Sequence, residues 1–308
     1  MRIVFMATGE IAEPTFSALL ESGHEVAGLV TQPDRPVGRK QVLTAPGVKD
    51  LALKAGLPVI QPESVREEDA LDQIRKWAPD LIVVMAYGQI LPLSLIRMPT
   101  RAIINLHASL LPKYRGAACI QGAIVNGDHE TGWSVIHVLK KLDAGNIVLQ
   151  HPFEIAPEET GGQLHDRLAL AGPAALTDAL ELFEEGEVPG TPQVEADMTY
   201  VPKLLREDGR IDWSKSATEI ARMIRAYHPW PGTFAELGGK RLKVFPPVRV
   251  GQKSGKAGEF LGLLDGGVEV ACGVGSLVLS EVQPEGSRRM SSEELARGRR
   301  EALNQGLK

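Results

Sequence analysis

Apolar and polar positions follow two different rhythms through the first half of the chain. Residues 2–6, 26–31, 58–61, 80–86 and 102–107 are short and largely apolar, as in L-I-V-V-M-A at 81–86, and read as strands. Residues 14–22, 47–55 and 67–77 instead carry Leu, Ala, Ile and Trp at helical spacing. Strands that are apolar at successive positions need cover on both faces. The alternation therefore predicts an α/β domain, a parallel sheet with helices on either side. A long Ala- and Leu-rich helix is expected over Gly161–Glu185, packed across that domain.

The rhythm stops near Glu187. The stretch V-P-G-T-P-Q-V-E-A-D-M-T-Y-V-P-K-L-L-R-E-D-G-R is rich in proline, polar and charged residues and has no period, so 189–208 reads as a linker. One helix follows at Ala217–Ala226. After it come Gly- and Val-rich segments of strand length, R-L-K-V-F-P-P-V-R-V-G, G-E-F-L-G-L-L, G-V-E-V-A-C-G and S-L-V-L-S-E-V-Q-P-E-G. They predict a small antiparallel barrel of about 100 residues. The expected domains are thus 1–188 and 209–308, joined by 189–208, with no internal repeat.

Composition agrees with this picture and narrows it. The 308 residues suit two domains, and 43% hydrophobic with 24% charged residues is the balance of an ordinary soluble protein. No apolar run approaches the ~20 residues that span a bilayer. The opening M-R-I-V-F-M-A-T-G-E is too short in its apolar part for a secretory signal and reads as the first strand, which points to the cytoplasm. Cys119 and Cys272, the only cysteines, have no C-x-x-C spacing, so neither zinc nor a disulfide framework is indicated. The net charge of −5 divides unevenly: residues 1–208 carry −10 and residues 209–308 carry +5. A basic module joined to an acidic one hints at a polyanionic partner.

Candidate chemistry sits on the strand Ala102–His107, A-I-I-N-L-H, which begins apolar and ends polar. Side chains alternate along a strand, so Asn105 and His107 share a face. Both stand at the carboxyl end of a parallel strand, where ligands of open α/β sheets bind. An amide beside an imidazole can stabilise a developing oxyanion and move a proton, the needs of acyl transfer. A buried amide and imidazole satisfied by neighbouring loops would give the same pattern.

The next residues distinguish these readings. The run N-L-H-A-S-L-L-P-K-Y-R-G-A, 105–117, closely resembles the signature of the folate-dependent formyltransferases, and K-K-L-D-A-G-N, 140–146, places Asp143 at their catalytic aspartate. The fold implied is a Rossmann-like, mostly parallel sheet with helices on both faces, followed by an OB-like β-barrel. The activity implied is attack by a neutral primary amine on the formyl carbon of 10-formyltetrahydrofolate. Asn105 and His107 would stabilise the oxyanion, while Asp143 orients His107 and assists proton movement. Ser109, Leu110, Leu111 and Pro112, with the loop before Asp143, would line the folate pocket. The resemblance implies no covalent enzyme intermediate and no metal.

Further segments resemble the branch of that family that formylates methionyl-tRNA. T-Q-P-D-R-P-V-G-R-K, 31–40, matches a loop reaching the acceptor stem, where Arg35, Arg39 and Lys40 would contact the initiator tRNA. T-Y-V-P-K-L-L-R-E-D-G-R-I-D-W, I-R-A-Y-H-P-W-P-G and V-Q-P-E-G-S-R-R-M extend the likeness nearly end to end. In the OB-like module, Arg241, Lys243, Arg249, Lys253, Lys256, Arg288 and Arg289 could track phosphates. Trp213 and Trp230 read as packing rather than as base-stacking platforms. The product would be N-formylmethionyl-tRNA for translation initiation, made by a monomer.

The chain departs from the family pattern at several places. A-T-G-E-I stands where G-T-P-x-F is usual, Cys119 where proline is usual, and Asn146 ends a loop that usually ends in Asp. K-K-L-D-A-G-N-I-V is somewhat like the amino-sugar branch, so an amino-sugar or other small-amine acceptor is the nearest alternative, and a non-catalytic folate- or tRNA-binding protein a remote one. A-T-G-E-I-A has one glycine where a dinucleotide fingerprint has three, which disfavours a dehydrogenase. No G-K-[ST] phosphate loop occurs, which disfavours an NTPase. Cys119 is expected to be a small buried side chain, and His137 to serve packing.

Overall fold

The computed structural model describes residues 1–38 and 41–308. In chain order the first elements are β1 (Arg2–Ala7), α1 (Glu13–Leu20), β2 (Glu25–Val30), β3 (Arg35–Val37), β4 (Val42–Thr44), α2 (Gly47–Lys54) and β5 (Val59–Ile60). Then come α3 (Glu68–Lys76), β6 (Leu81–Met85), α4 (Leu93–Ile96), β7 (Ala102–His107), α5 (Cys119–Asn126), β8 (Glu130–His137), β9 (Ile147–Glu154) and α6 (Gly161–Glu185). The remainder holds α7 (Ala217–Ala226), β10 (Thr233–Leu237), β11 (Lys240–Gly251), β12 (Phe260–Leu264), β13 (Gly267–Ala271), β14 (Ser276–Pro284), β15 (Met290–Ser291) and α8 (Ser292–Asn304). Two compact units result: one of residues 1–116, 131–153 and 165–200, the other of 117–130, 154–164 and 201–308.

The first unit is built on a seven-stranded sheet of order β5-β2-β1-β6-β7-β8-β9. β2, β5, β6 and β7 run parallel to their neighbours, and β8 returns antiparallel to β7. The apolar runs explain the burial. Ile3 to Ala7 and Leu81 to Val83 are fully buried, as strands covered on both faces must be. β1 sends the chain to β2 and β5 on one side, and β6 resumes on the other. The strand order therefore reverses between β1 and β6, and their carboxyl ends open the crevice where such sheets take ligands. β7 lies next to β6, with Val84 opposite Asn105.

Helix α6 has the bounds that its Ala/Leu pattern predicts, and it packs on this sheet. Trp133 in β8 donates from its indole Nε1 to the Leu168 carbonyl at 2.9 Å. Gly172 passes so close to Thr15 and Met85 that a Cβ there would press on both. Helix α1 is held to β1 by the stacked rings of Phe16 and Phe5, 4.8 Å between centroids. Within 31–40, matched to a loop, residues 35–37 form a short strand that pairs antiparallel with β4. Arg35 pairs with Thr44 and Pro36 with Leu43.

The second unit is an antiparallel sheet of order β10-β11-β14-β13-β12, with β15 added to β14. Pro246 and Pro247 cannot donate to a ladder, and the β11–β14 register shifts between Phe245 and Val248. Trp213, Ile220, Leu242, Val244, Val270, Leu279 and Leu303 form its core. α7 starts where Ser216 and Glu219 cap one another, the box expected of S-x-x-E. β10 and α8 were not foreseen. α8 is short of apolar residues, but Ser291 caps it and Leu295 and Leu303 bury its apolar face. Among the described residues no helix is long and apolar enough to cross a membrane.

Truncating Phe16 to alanine removes the ring that pins α1 to β1 and leaves a cavity. Phe16→Ala should lower the unfolding free energy by about 3–5 kcal/mol, read from the urea midpoint.

Candidate active site

β7 brings Asn105 and His107 to the carboxyl edge of the sheet, on one face as the alternation requires. Asn105 is half-buried, and among the described residues its amide makes no hydrogen bond. His107 is 7% exposed, and its Nε2 lies 2.9 Å from the Tyr114 carbonyl oxygen. A carbonyl only accepts, so Nε2 carries a proton in that bond, which fixes the ring's orientation. Nδ1 then faces Asp143, whose Oδ2 is 3.8 Å away.

That separation is too long for a hydrogen bond. The ring is held by Tyr114, while Asp143 stands beside it as a charge partner; this modifies the expectation that Asp143 orients His107. Asp143 Oδ2 in turn accepts from the Gly116 N–H at 2.9 Å. The turn after His107 therefore binds both groups. The backbone of Tyr114 aims its carbonyl at the imidazole, and Gly116, two residues on, aims its N–H at the carboxylate.

Two non-glycine residues here take left-handed backbone, Tyr114 at φ +60° and Asp143 at φ +48°. Such residues are uncommon and persist where their surroundings hold them, often at functional sites. Gly145, two residues beyond Asp143, has room for nothing larger, since a Cβ there would run into the His137 carbonyl. His137 itself serves packing: Nε2 donates to the Val188 carbonyl at 2.6 Å and the ring meets Phe183 edge-on.

The four expected folate-lining residues divide into two roles. Ser109 is fully buried and donates from Oγ to the Lys113 carbonyl at 2.7 Å. Leu111, also buried, donates its N–H to Ser134 Oγ at 3.0 Å, and Ser134 donates to the Ser109 carbonyl at 2.7 Å. Ser109 and Leu111 thus fasten the loop. Leu110 and Pro112 are only half-buried and remain able to meet a ligand. Across the site, Leu139 and Leu142 in the loop before Asp143 are both more than half exposed.

Of the residues expected to meet tRNA, Arg35 is exposed and paired with Glu63 at 2.8 Å. Arg39 and Lys40 lie outside the described residues. In the second unit, Arg241 pairs with Glu207, Arg249 with Asp265, Lys253 with Glu269, Arg288 with Glu294 and Arg289 with Glu281. Lys243 and Lys256 are exposed and form no ion pair among the described residues. Packing, suggested for both tryptophans, holds for Trp213 at 5% exposure; Trp230 is 51% exposed with the Arg206 guanidinium 5.7 Å from its ring. Cys119 is a buried free thiol, as expected.

Several residues at the site escaped sequence reasoning. Arg115, 3% exposed, bonds to the Gln193 side chain and to Glu195, and Gln193 also donates to the backbone next to Asp143. They fall in a stretch without periodicity, and only the buried arginine of the R-G-A-A run could have signalled that a carboxylate must come to it. Among the described residues no group of three His, Cys, Asp or Glu side chains could hold a metal ion.

The family described as Formyl transferase matches residues 1–180, and the family Formyl transferase, C-terminal domain, matches residues 203–300. A protein of Akkermansia muciniphila named methionyl-tRNA formyltransferase is 51% identical over 304 residues, covering 97% of this chain and 96% of its own. One of the same name from Marinobacter nauticus is 43% identical over 307 residues, 99% of each chain. The crystal structure of HypX from Aquifex aeolicus in complex with tetrahydrofolic acid superposes with a TM-score of 0.63 at 21% identity, a likeness of fold. It covers 96% of this chain, which spans about half of HypX, 47% of its length.

Hydrogen bonds from Arg115 and then Lys141 hold the Glu195 carboxyl down at about 2, against an ordinary 4.5. A lowered value means that this ion pair stabilises fully above pH 4.5 and is lost as pH falls through about 2. The stability difference between the wild type and Glu195→Gln should be constant above that range and vanish toward its lower end in acid unfolding. A difference that grows on acidification would contradict the assignment.

Proposed function

The chain belongs to the formyl transferase family, and from that membership we propose that it transfers the formyl group of 10-formyltetrahydrofolate to the free amino group of initiator methionyl-tRNA, giving N-formylmethionyl-tRNA. The observation that carries the reading is the site itself. An amide with no hydrogen-bond partner among the described residues stands next to a histidine whose ring is bonded to a carbonyl and whose second nitrogen faces a carboxylate.

Each group then has a task. Asn105 donates to the formyl oxygen as negative charge develops on it, an interaction that strengthens toward the transition state. His107, with its Nε2–H held by Tyr114, exchanges a proton at Nδ1. Nδ1 takes the proton that the attacking amine loses and returns it to N10 of tetrahydrofolate as the formyl–N10 bond breaks; the Asp143 carboxylate stabilises the imidazolium in between, and the 3.8 Å separation would close as it does so. Leu110, Pro112, Leu139 and Leu142 offer the apolar surface that a pterin ring needs, and the formyl donor supplies the one-carbon unit.

Arg35, Arg39 and Lys40 are proposed to reach the acceptor stem, and the basic residues of the second unit to follow phosphates. The ion pairs at those cations do not oppose this. Exposed pairs are worth about 0–1 kcal/mol, so at Arg35, Arg241, Arg249, Arg288 and Arg289 phosphates can replace carboxylates at little cost; Lys253 is held to the buried Glu269 and is not free to exchange in this way. A small-amine acceptor would have no use for these cations. Relatives named for methionyl-tRNA at 51% and 43% identity over nearly the whole chain also favour the tRNA.

The direct test is incubation with 10-formyltetrahydrofolate and charged initiator tRNA, followed by detection of formyl-methionine. Asn105→Ala and Asp143→Ala should each lower turnover about 10²-fold or more. Near wild-type rates in both would remove the assignment. Affinity for methionyl-tRNA should fall steeply with salt, by roughly 0.7–0.9 in log–log slope per phosphate contacted. A flat response would point to a small acceptor.

A further inference from the structure

Residues 193–199 lie in the stretch that reads as a linker, yet within the first unit they are bonded to both loops that carry the site. The Gln193 side chain is used at both ends. Its Oε1 accepts from Arg115 Nε at 3.0 Å and Nη2 at 2.8 Å. Its Nε2 donates to the carbonyls of Asp143 and Gly145, each at 2.8 Å, so one amide brackets the turn at Ala144. Thr199 holds the other loop: Oγ1 accepts the Tyr114 N–H at 2.8 Å and its carbonyl accepts the Arg115 N–H at 2.9 Å. Between them, Glu195 joins Arg115 to Lys141 at 2.8 and 2.7 Å.

The choice of targets is informative. Tyr114 and Asp143 are the two non-glycine residues of the site in left-handed backbone, and both are among the residues this segment bonds. Left-handed backbone costs about 1–2 kcal/mol per residue, and each net hydrogen bond returns about 1 kcal/mol. A covalent tether needs neither side-chain-specific bonds nor a buried guanidinium as anchor. We infer that residues 193–199 form a positioning clamp for the formyl-transfer site, in which Gln193 holds Asp143 and Thr199 holds the Tyr114 turn that orients His107. The inference rests on the active-site reading above. Neither Gln193 nor Thr199 is assigned contact with the reacting atoms.

Gln193→Met removes the bonds at similar volume. In the full chain, with 10-formyltetrahydrofolate and methionyl-tRNA, it should lower kcat about tenfold or more while both KM values stay within about twofold. If Gln193 acts through Asp143, the same substitution in an Asp143→Asn background should cost less than about twofold in single-turnover rate. Thr199→Val should also lower kcat, and Thr199→Ser, which restores the hydroxyl, should recover it. The clamp is overturned if Gln193→Met keeps kcat within twofold of wild type, or loses the same factor in the Asp143→Asn background. Should Gln193→Met not fold, the Thr199 pair decides, and equal full activity of the valine and serine variants overturns the clamp. Asn105→Ala and Asp143→Ala run alongside separate the two ideas: full turnover in both refutes the site, whereas their loss with Gln193→Met unaffected refutes only the clamp.

Discussion

A sheet buried on both faces has no room for polar chemistry along its strands, and this constraint governs the rest of the first unit. β1 from Ile3 on and all of β6 are spent on the core, so reactive groups can appear only where strands end. β7 meets the constraint by changing character within six residues, from Ala102 to His107. Asn105 and His107 therefore stand on a rigid platform at the ligand edge. Everything that tunes them must come from loops.

Those loops do so by adopting backbone that their residues do not prefer. Tyr114 turns left-handed and presents a carbonyl to His107; Asp143 turns left-handed and presents a carboxylate to the same ring. Gly116 ties the two loops by donating to Asp143, and Gly145 supplies the space that the His137 carbonyl requires. Local unfavourable geometry at a site needs over-determined surroundings. Arg115, Gln193 and Glu195 supply them with a buried guanidinium bonded on several sides.

The second unit answers a different need. Its antiparallel sheet covers one apolar face, and its other surface carries arginines and lysines, most of them beside a carboxylate. Paired cations keep the free protein from repelling itself, yet exposed pairs give way readily to a polyanion. Arg241 over Phe234 and Arg289 over Phe245 also rest on aromatic rings, which hold the guanidinium planes in place whatever their charge partner.

Periodicity made the regular elements legible. β7, α6 and α7 have the bounds that their patterns predict, because burial of one stripe or of two faces is written locally in residue order. The shared face of Asn105 and His107 followed from the same rule, and the signature around them pointed to the chemistry. β10 and α8 were missed, since one is short and the other is nearly half charged and held by two buried leucines and a cap. Tertiary structure alone decided that Tyr114 rather than Asp143 fixes the His107 ring, that Ser109 fastens a loop, and that Trp230 is half exposed. It also turned 193–199 from a linker into part of the site's surroundings. Hydrogen bonds between irregular segments some 80 residues apart, such as Arg115 to Glu195, leave no period in the chain, so no local pattern could have announced them.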